Sequence, residues 1–249
     1  MTYQMSRLIA FGITGICLVT NVLADAKQPW SKYKVHDTLR PRPEKIRDCK
    51  AVTTAPPEGA TVLFDGKNTD AFTRDWKVSK GAMIATGKKN NTTKESFGSC
   101  YLHVEWRIPV GRKIDGQKGG NSGIFLMGKY EVQVMESHKN VTYADGQAAA
   151  IYGQTPPMFN ASAPQGEWQS YDIIFEAPVY DEAGMKTPAY ITVIHNGVVV
   201  HARQNYYGPT VIRKVASYPA THPEKAPLAL QWHGDPVEYR NIWIKELKK

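Results

Sequence analysis

From residue 60 onward the apolar residues fall into short runs separated by turn residues. The runs cover residues 60–64, 76–78, 82–86, 101–108, 123–127, 130–135, 171–176, 189–195, 198–203, 228–232 and 242–247. Several alternate strictly, so successive side chains point to opposite faces of a strand. In 101–108, Leu102, Val104, Trp106 and Ile108 share one face, with His103, Glu105 and Arg107 opposite. In 130–135, Val132 and Val134 oppose Glu131 and Gln133, and a tight Gly128-Lys129 turn precedes the strand. His195-Asn196-Gly197-Val198 predicts a two-residue hairpin whose turn needs φ > 0 at both central positions. No stretch sustains a helical apolar period and no segment repeats. Many short strands with tight turns predict an all-β fold, a jelly-roll β-sandwich of two antiparallel sheets.

Two long insertions interrupt this meander, at 139–167 and 207–227, and long loops in a compact domain usually serve function. They are the expected rims of a site on one sheet face. The N-terminus reads differently. Arg7 precedes the apolar run 8–19, and Val22-Leu23-Ala24 presents a small residue at a cleavage point. Residues 1–24 are therefore expected to be a secretory signal peptide, too short for a stable membrane span. Residues 25–58 are basic and proline-rich but carry Trp30, Tyr33, Val35 and Leu39, so they predict an extended arm lying on a domain at 59–249.

Export would place the chain in an oxidising compartment, where Cys49 and Cys100 could form a disulfide or remain separate thiols. The net charge is +8, and loss of Arg7 with the leader lowers it by one. The basic residues are scattered, with no block interleaved with aromatics, so nucleic acid is not an expected partner.

Signatures for nucleotide binding, zinc proteases and serine hydrolases are absent. The candidate chemistry sits on polar strand faces. Glu131 and Gln133 are offered by the central hairpin, and Gln231 and His233 share one parity beyond Leu228 and Leu230. Glu131, His233 and Arg240 form a candidate catalytic set: a carboxylate, an imidazole and a guanidinium can move a proton and stabilise an anion. Each has a structural alternative. Glu131 and Gln133 could face solvent, His233 could orient a turn, and Arg240 shares parity with Ile242 and Ile244, which suits a buried cation paired with Glu131 or Glu136. Asn121, Gln133 and Gln231 are candidates to bind sugar hydroxyls, and Tyr152 and Trp168 to stack on a sugar ring or to pack in the core. Glu131, Gln133 and Glu136 have a spacing similar to the acidic strand of laminarinase-type glycosidases, but Gln133 lacks the middle charge of that mechanism.

Val62-Leu63-Phe64-Asp65-Gly66-Lys67, Leu102-His103-Val104-Glu105-Trp106-Arg107, Gly120-Asn121-Ser122-Gly123-Ile124-Phe125-Leu126 and Tyr130-Glu131-Val132-Gln133-Val134 resemble one known family. Gly166-Glu167-Trp168-Gln169-Ser170-Tyr171-Asp172, His195-Asn196-Gly197-Val198 and Arg240-Asn241-Ile242-Trp243-Ile244 extend the likeness across residues 61–247. Together they look like the 3-keto-disaccharide hydrolases, a concanavalin A-like jelly-roll family of exported bacterial proteins. The arm is similar to leaders of planctomycete-type members. Where many relatives read Leu-Gln-Asp-His-Gly, this chain has Leu230-Gln231-Trp232-His233-Gly234.

The resemblance implies a periplasmic or extracellular enzyme that cleaves glycosidic bonds of 3-keto sugars. A ketone at C3 acidifies the C2 proton, so a base can remove it, the C1 substituent can leave, and water can add back. Under that reading His233 or Glu131 is the base and Arg240 the anion stabiliser. Asn121, Gln133 and Gln231 hold hydroxyls. The resemblance fixes no cofactor, and a divalent cation could polarise the ketone instead. The alternative is a non-catalytic carbohydrate-binding jelly roll.

Overall fold

The computed structural model describes residues 27–248, so the expected signal peptide lies outside the described residues. Sixteen strands run in the order β1 (Glu44–Lys45), β2 (Thr61–Phe64), β3 (Val78–Ser79), β4 (Ala82–Ile84), β5 (Asn91–Phe97), β6 (Cys100–Arg107), β7 (Asn121–Leu126), β8 (Tyr130–Met135), β9 (Phe159–Asn160), β10 (Gln169–Glu176), β11 (Val179–Asp181), β12 (Gly184–Thr187), β13 (Tyr190–His195), β14 (Val198–Asn205), β15 (Ala226–Leu230) and β16 (Glu238–Glu246). The only helical turn among the described residues is a 3-10 turn at Ala144–Gly146. None of their helices is long and apolar enough to cross a membrane.

Two antiparallel sheets form the sandwich. The large one has the order β14-β13-β10-β6-β16-β4-β3, with β2 also on β16, and the small one has the order β5-β15-β7-β8. Alternation explains the core between them. Leu102, Val104 and Trp106 of β6 and Tyr171, Ile173 and Phe175 of β10 are buried against Ile124 of β7 and Val132 and Val134 of β8. Two hydrogen bonds cross this core: Tyr171 donates to the Gln133 carbonyl at 2.8 Å, and the Ser122 and Tyr239 hydroxyls bond at 2.6 Å.

The Asn196-Gly197 hairpin has the required geometry, with φ of 51° and 81°. The β7–β8 turn differs by one residue from expectation. Lys129 N–H bonds to Leu126 C=O, and Met127 and Gly128, at φ of 52° and 65°, are its central pair. Cys49 and Cys100 are both free thiols, and burial pushes Cys100 up to about 12.

The arm, residues 27–58, packs closely on the domain. The Gln28 amide donates to Gly153 C=O at 2.9 Å, Arg40 donates to Gln154 C=O at 3.1 Å, and Trp30 stacks on Tyr207 at 3.9 Å. β1 pairs with β9. Further along, Val52 N–H bonds Ser170, and Thr54 C=O accepts from Asn241 and Trp243. The arm thus borders the 139–167 loop first and then crosses the outer face of the large sheet.

Candidate functional site

The outward face of the small sheet carries most of the candidate residues. Register puts Phe125 opposite Glu131, Gly123 opposite Gln133 and Asn121 opposite Met135, and Gln231 N–H bonds Gly123 C=O. Leu230 is core, so Gln231 points outward beside the same glycine. Gly123 therefore leaves a notch between two glutamines, which the Glu131 carboxyl and the edge of the Phe125 ring enter. A Cβ there would overlap Glu131 Oε1, so the carboxyl can lie in the notch only because residue 123 has no side chain.

The 139–167 loop extends this sheet. Gln133 exchanges backbone bonds with Ala149 and Ala150, and Tyr152 N–H reaches Glu131 C=O at 3.4 Å. Val132 bridges Ile151, so Tyr152 stands opposite Glu131 on its face. The 207–225 loop closes the other side, where Thr210 bonds Lys129 C=O and accepts from Glu131 N–H. Both long loops border the site, and together they bury a face that alternation alone would have left wet. Glu131 is 4% exposed and Gln133 0%.

Burial without compensation sets the electrostatics. Among the described residues no donor or cation bonds the Glu131 carboxyl, and desolvation pushes it up to about 8. Gln133 donates to Gln117 Oε1 at 3.2 Å and to Gly146 C=O at 3.4 Å, which leaves its own Oε1 buried without a partner. Gln231 Oε1 is buried and unpartnered as well. A carboxyl and two amide oxygens facing one notch call for hydroxyl or cationic ligands. Asn121 is committed elsewhere, since its amide bonds Gln117 C=O at 3.1 Å. Among the described residues no three His, Cys, Asp or Glu side chains gather to hold a metal ion. Surface clefts elsewhere, such as the one lined by Glu58, Glu95, Lys225 and Lys245, do not include Glu131.

Arg240 and Trp168 do not join Glu131. Arg240 lies on the outer face of the large sheet, across the core from the notch. A bulge in β16, with a register shift after Arg240 and Asn241 at φ 44°, breaks the parity that tied Arg240 to Ile242. Its partner is Glu105 at 2.7 Å, neither Glu131 nor Glu136. Glu136 instead accepts backbone N–H groups of His138, Lys139 and Asn140. Trp168 is also on the large sheet, with the guanidiniums of Arg240 and Arg107 at 4.1 and 4.5 Å from its ring. Sugar stacking beside Glu131 is therefore not its role. His233 is exposed in the turn after β15 and forms no hydrogen bond among the described residues.

Sequence reasoning missed three groups at the site. Tyr143 bonds the Tyr152 hydroxyl at 2.9 Å. Arg213, in the 207–225 loop, bears on both phenols through its charge. His36 of the arm packs on both tyrosine rings, at 4.1 and 4.9 Å. Only the length of the two loops pointed towards Tyr143 and Arg213, and no sequence signal pointed to His36.

The chain is 34% identical to a protein from Parabacteroides distasonis ATCC 8503 described provisionally as a glycosyl hydrolase. That crystal structure superposes with a TM-score of 0.73, covering 88% of this chain and 99% of that one. A second structure from the same organism, with the same provisional description, is 19% identical with a TM-score of 0.56, covering 77% and 95%. This second likeness bears on the fold alone. No curated protein matches the chain. Residues 59–245 match the 3-keto-alpha-glucoside-1,2-lyase-like domain, and the chain belongs to that family.

Proposed function

We propose that the protein is an exported carbohydrate-active enzyme that cleaves the glycosidic bond of 3-keto-glycosides by elimination and hydration, with Glu131 as the base. The observation that carries this reading is a buried carboxyl with no partner, raised to about 8, beside two unpartnered amide oxygens at the Gly123 notch. Family membership supports the substrate class.

In this mechanism the ionised Glu131 takes the C2 proton, and the C–H electron pair moves to form the enolate of the C3 ketone. The enolate expels the C1 oxygen, which leaves with a proton. Water then adds across C1 and C2 to give the free 3-keto sugar. Gln133 and Gln231 hold ring hydroxyls, and the Tyr152 phenol, opposite Glu131, is the proton donor to the leaving oxygen. Arg240 takes no part, being on the opposite face.

Product analysis on 3-keto-disaccharides tests the reading, with and without added divalent metal. Release of the aglycone sugar together with a transient 2-hydroxy-3-keto-glucal is expected from wild type and not from Glu131→Gln. Sugar binding without any bond cleavage would replace the enzyme with a binding module.

A further inference from the structure

Residues 27–58 precede the matched domain, yet one of them reaches the site. The His36 backbone N–H bonds Asp145 Oδ2 at 3.0 Å, and its Nδ1 stands 3.5 Å from Asp145 Oδ1. Asp145 is fully buried in the 3-10 turn of the 139–167 loop. A carboxylate on Nδ1 fixes both the tautomer and the plane of an imidazole. The ring then sits between Tyr143 and Tyr152, whose hydroxyls bond each other, and its Nε2 is buried without a partner. His36 itself takes φ 60°, a left-handed conformation that a non-glycine residue adopts at a cost.

Ordinary arm docking does not require this. Gln28, Trp30 and Arg40 already fasten the segment through amide, stacking and guanidinium contacts. Tyr143 can lie where it does because Gly146 beneath it has no Cβ. The tyrosine pair is thus held from one side by the loop and from the other by the arm.

We infer that the N-terminal arm is part of the active site, and that His36, oriented by Asp145, is a positioning residue that holds the Tyr143–Tyr152 hydroxyl pair against Glu131. This rests on the reading of Glu131 and Tyr152 given above. Loss of the imidazole lets the phenol drift from the leaving oxygen, and displacement of a catalytic group by about 1 Å costs roughly a hundredfold in rate.

The test compares His36→Ala, His36→Asn and Asp145→Asn with Leu39→Ala, an exposed arm position. His36→Ala is expected to lower kcat roughly tenfold to a hundredfold with KM little changed, and added imidazole to restore part of it. Leu39→Ala should match wild type. Tyrosine titration at 295 nm, which needs no substrate, should show one phenol ionising differently in His36→Ala. Unchanged kcat with an unchanged phenol titration overturns the inference. So does a loss of kcat that His36→Asn shares fully with a fall in thermal stability and that imidazole does not rescue. If wild type itself cleaves no 3-keto-glycoside, the proposed function fails. The phenol titration still decides whether His36 sets the tyrosine pair.

Discussion

Glu131 and Glu105 sit on the two outward faces of one sandwich, 4% and 0% exposed, and they behave as opposites. Burial raises Glu131 to about 8 because nothing answers its charge. Burial would raise Glu105 too, but hydrogen bonds from Asn241 and Arg240, with the His103 imidazole 3.6 Å away, outweigh it and hold the group at about 2. His103, between Glu105 and Asp172, is raised by its two carboxylate partners against the lowering effect of burial. Burial therefore separates neither a structural acid from a reactive one nor one face from the other; partners do. On the large-sheet face, under the arm, the buried Glu105 carboxylate has a cation and an amide bonded to it. The small-sheet face is left with open valences, as a site that must complete itself on a ligand would be.

The largest expected effect is on Glu131. Glu131→Gln should lower kcat by at least about a thousandfold in the product assay, as expected for loss of a proton acceptor. It should also stabilise the fold at alkaline pH. The native pKa lies above the ordinary value of 4.5, so ionisation penalises the folded state. That penalty is absent below the unfolded value, grows as pH rises and is complete above about 8. Urea unfolding of the two proteins should coincide at pH 4 and diverge by pH 9.

Glu105→Ala should do the reverse, costing about 3 kcal/mol of stability by stranding charged partners while kcat stays near wild type. The depressed native pKa means that the Glu105 contribution is present above the ordinary 4.5 and is lost as pH falls towards about 2. Denaturation midpoints measured between pH 5 and pH 2 should therefore converge for wild type and variant.

The pH profile sharpens the contrast next. With Glu131 as base, log kcat/KM should rise by about one per pH unit and level off above about 8. A profile flat between pH 6 and pH 9 would remove Glu131 from the role. The smallest effect belongs to Trp168. Trp168→Ala should cost about 1 kcal/mol or less, the strength of its cation–π contacts, with no change in KM. A large rise in KM would return Trp168 to the sugar site.

The hairpin that carries Glu131 was legible in the sequence because a glycine-rich turn and strict alternation are local signals. β5 was not, because Asn-Thr-Thr-Lys-Glu-Ser-Phe shows no apolar period; it is an edge strand whose buried Asn91 and Thr93 bond neighbouring backbone. Arg240 was misplaced because parity is counted residue by residue, and one bulge resets the count. Trp168 was assigned by residue type, which says nothing about which face it lies on. His36 and Asp145 are 109 residues apart, and no periodicity reports a contact of that range.

The arm makes some of the most distant contacts in the chain, Gln28 to Gly153 across 125 residues and Trp243 to Thr54 across 189. Closing loops of such length carries an entropic cost that the arm's hydrogen bonds and stacking offset. Its first half covers the notch side and its second half lies over the Glu105 network, so one segment ties the two outward faces of the sandwich together.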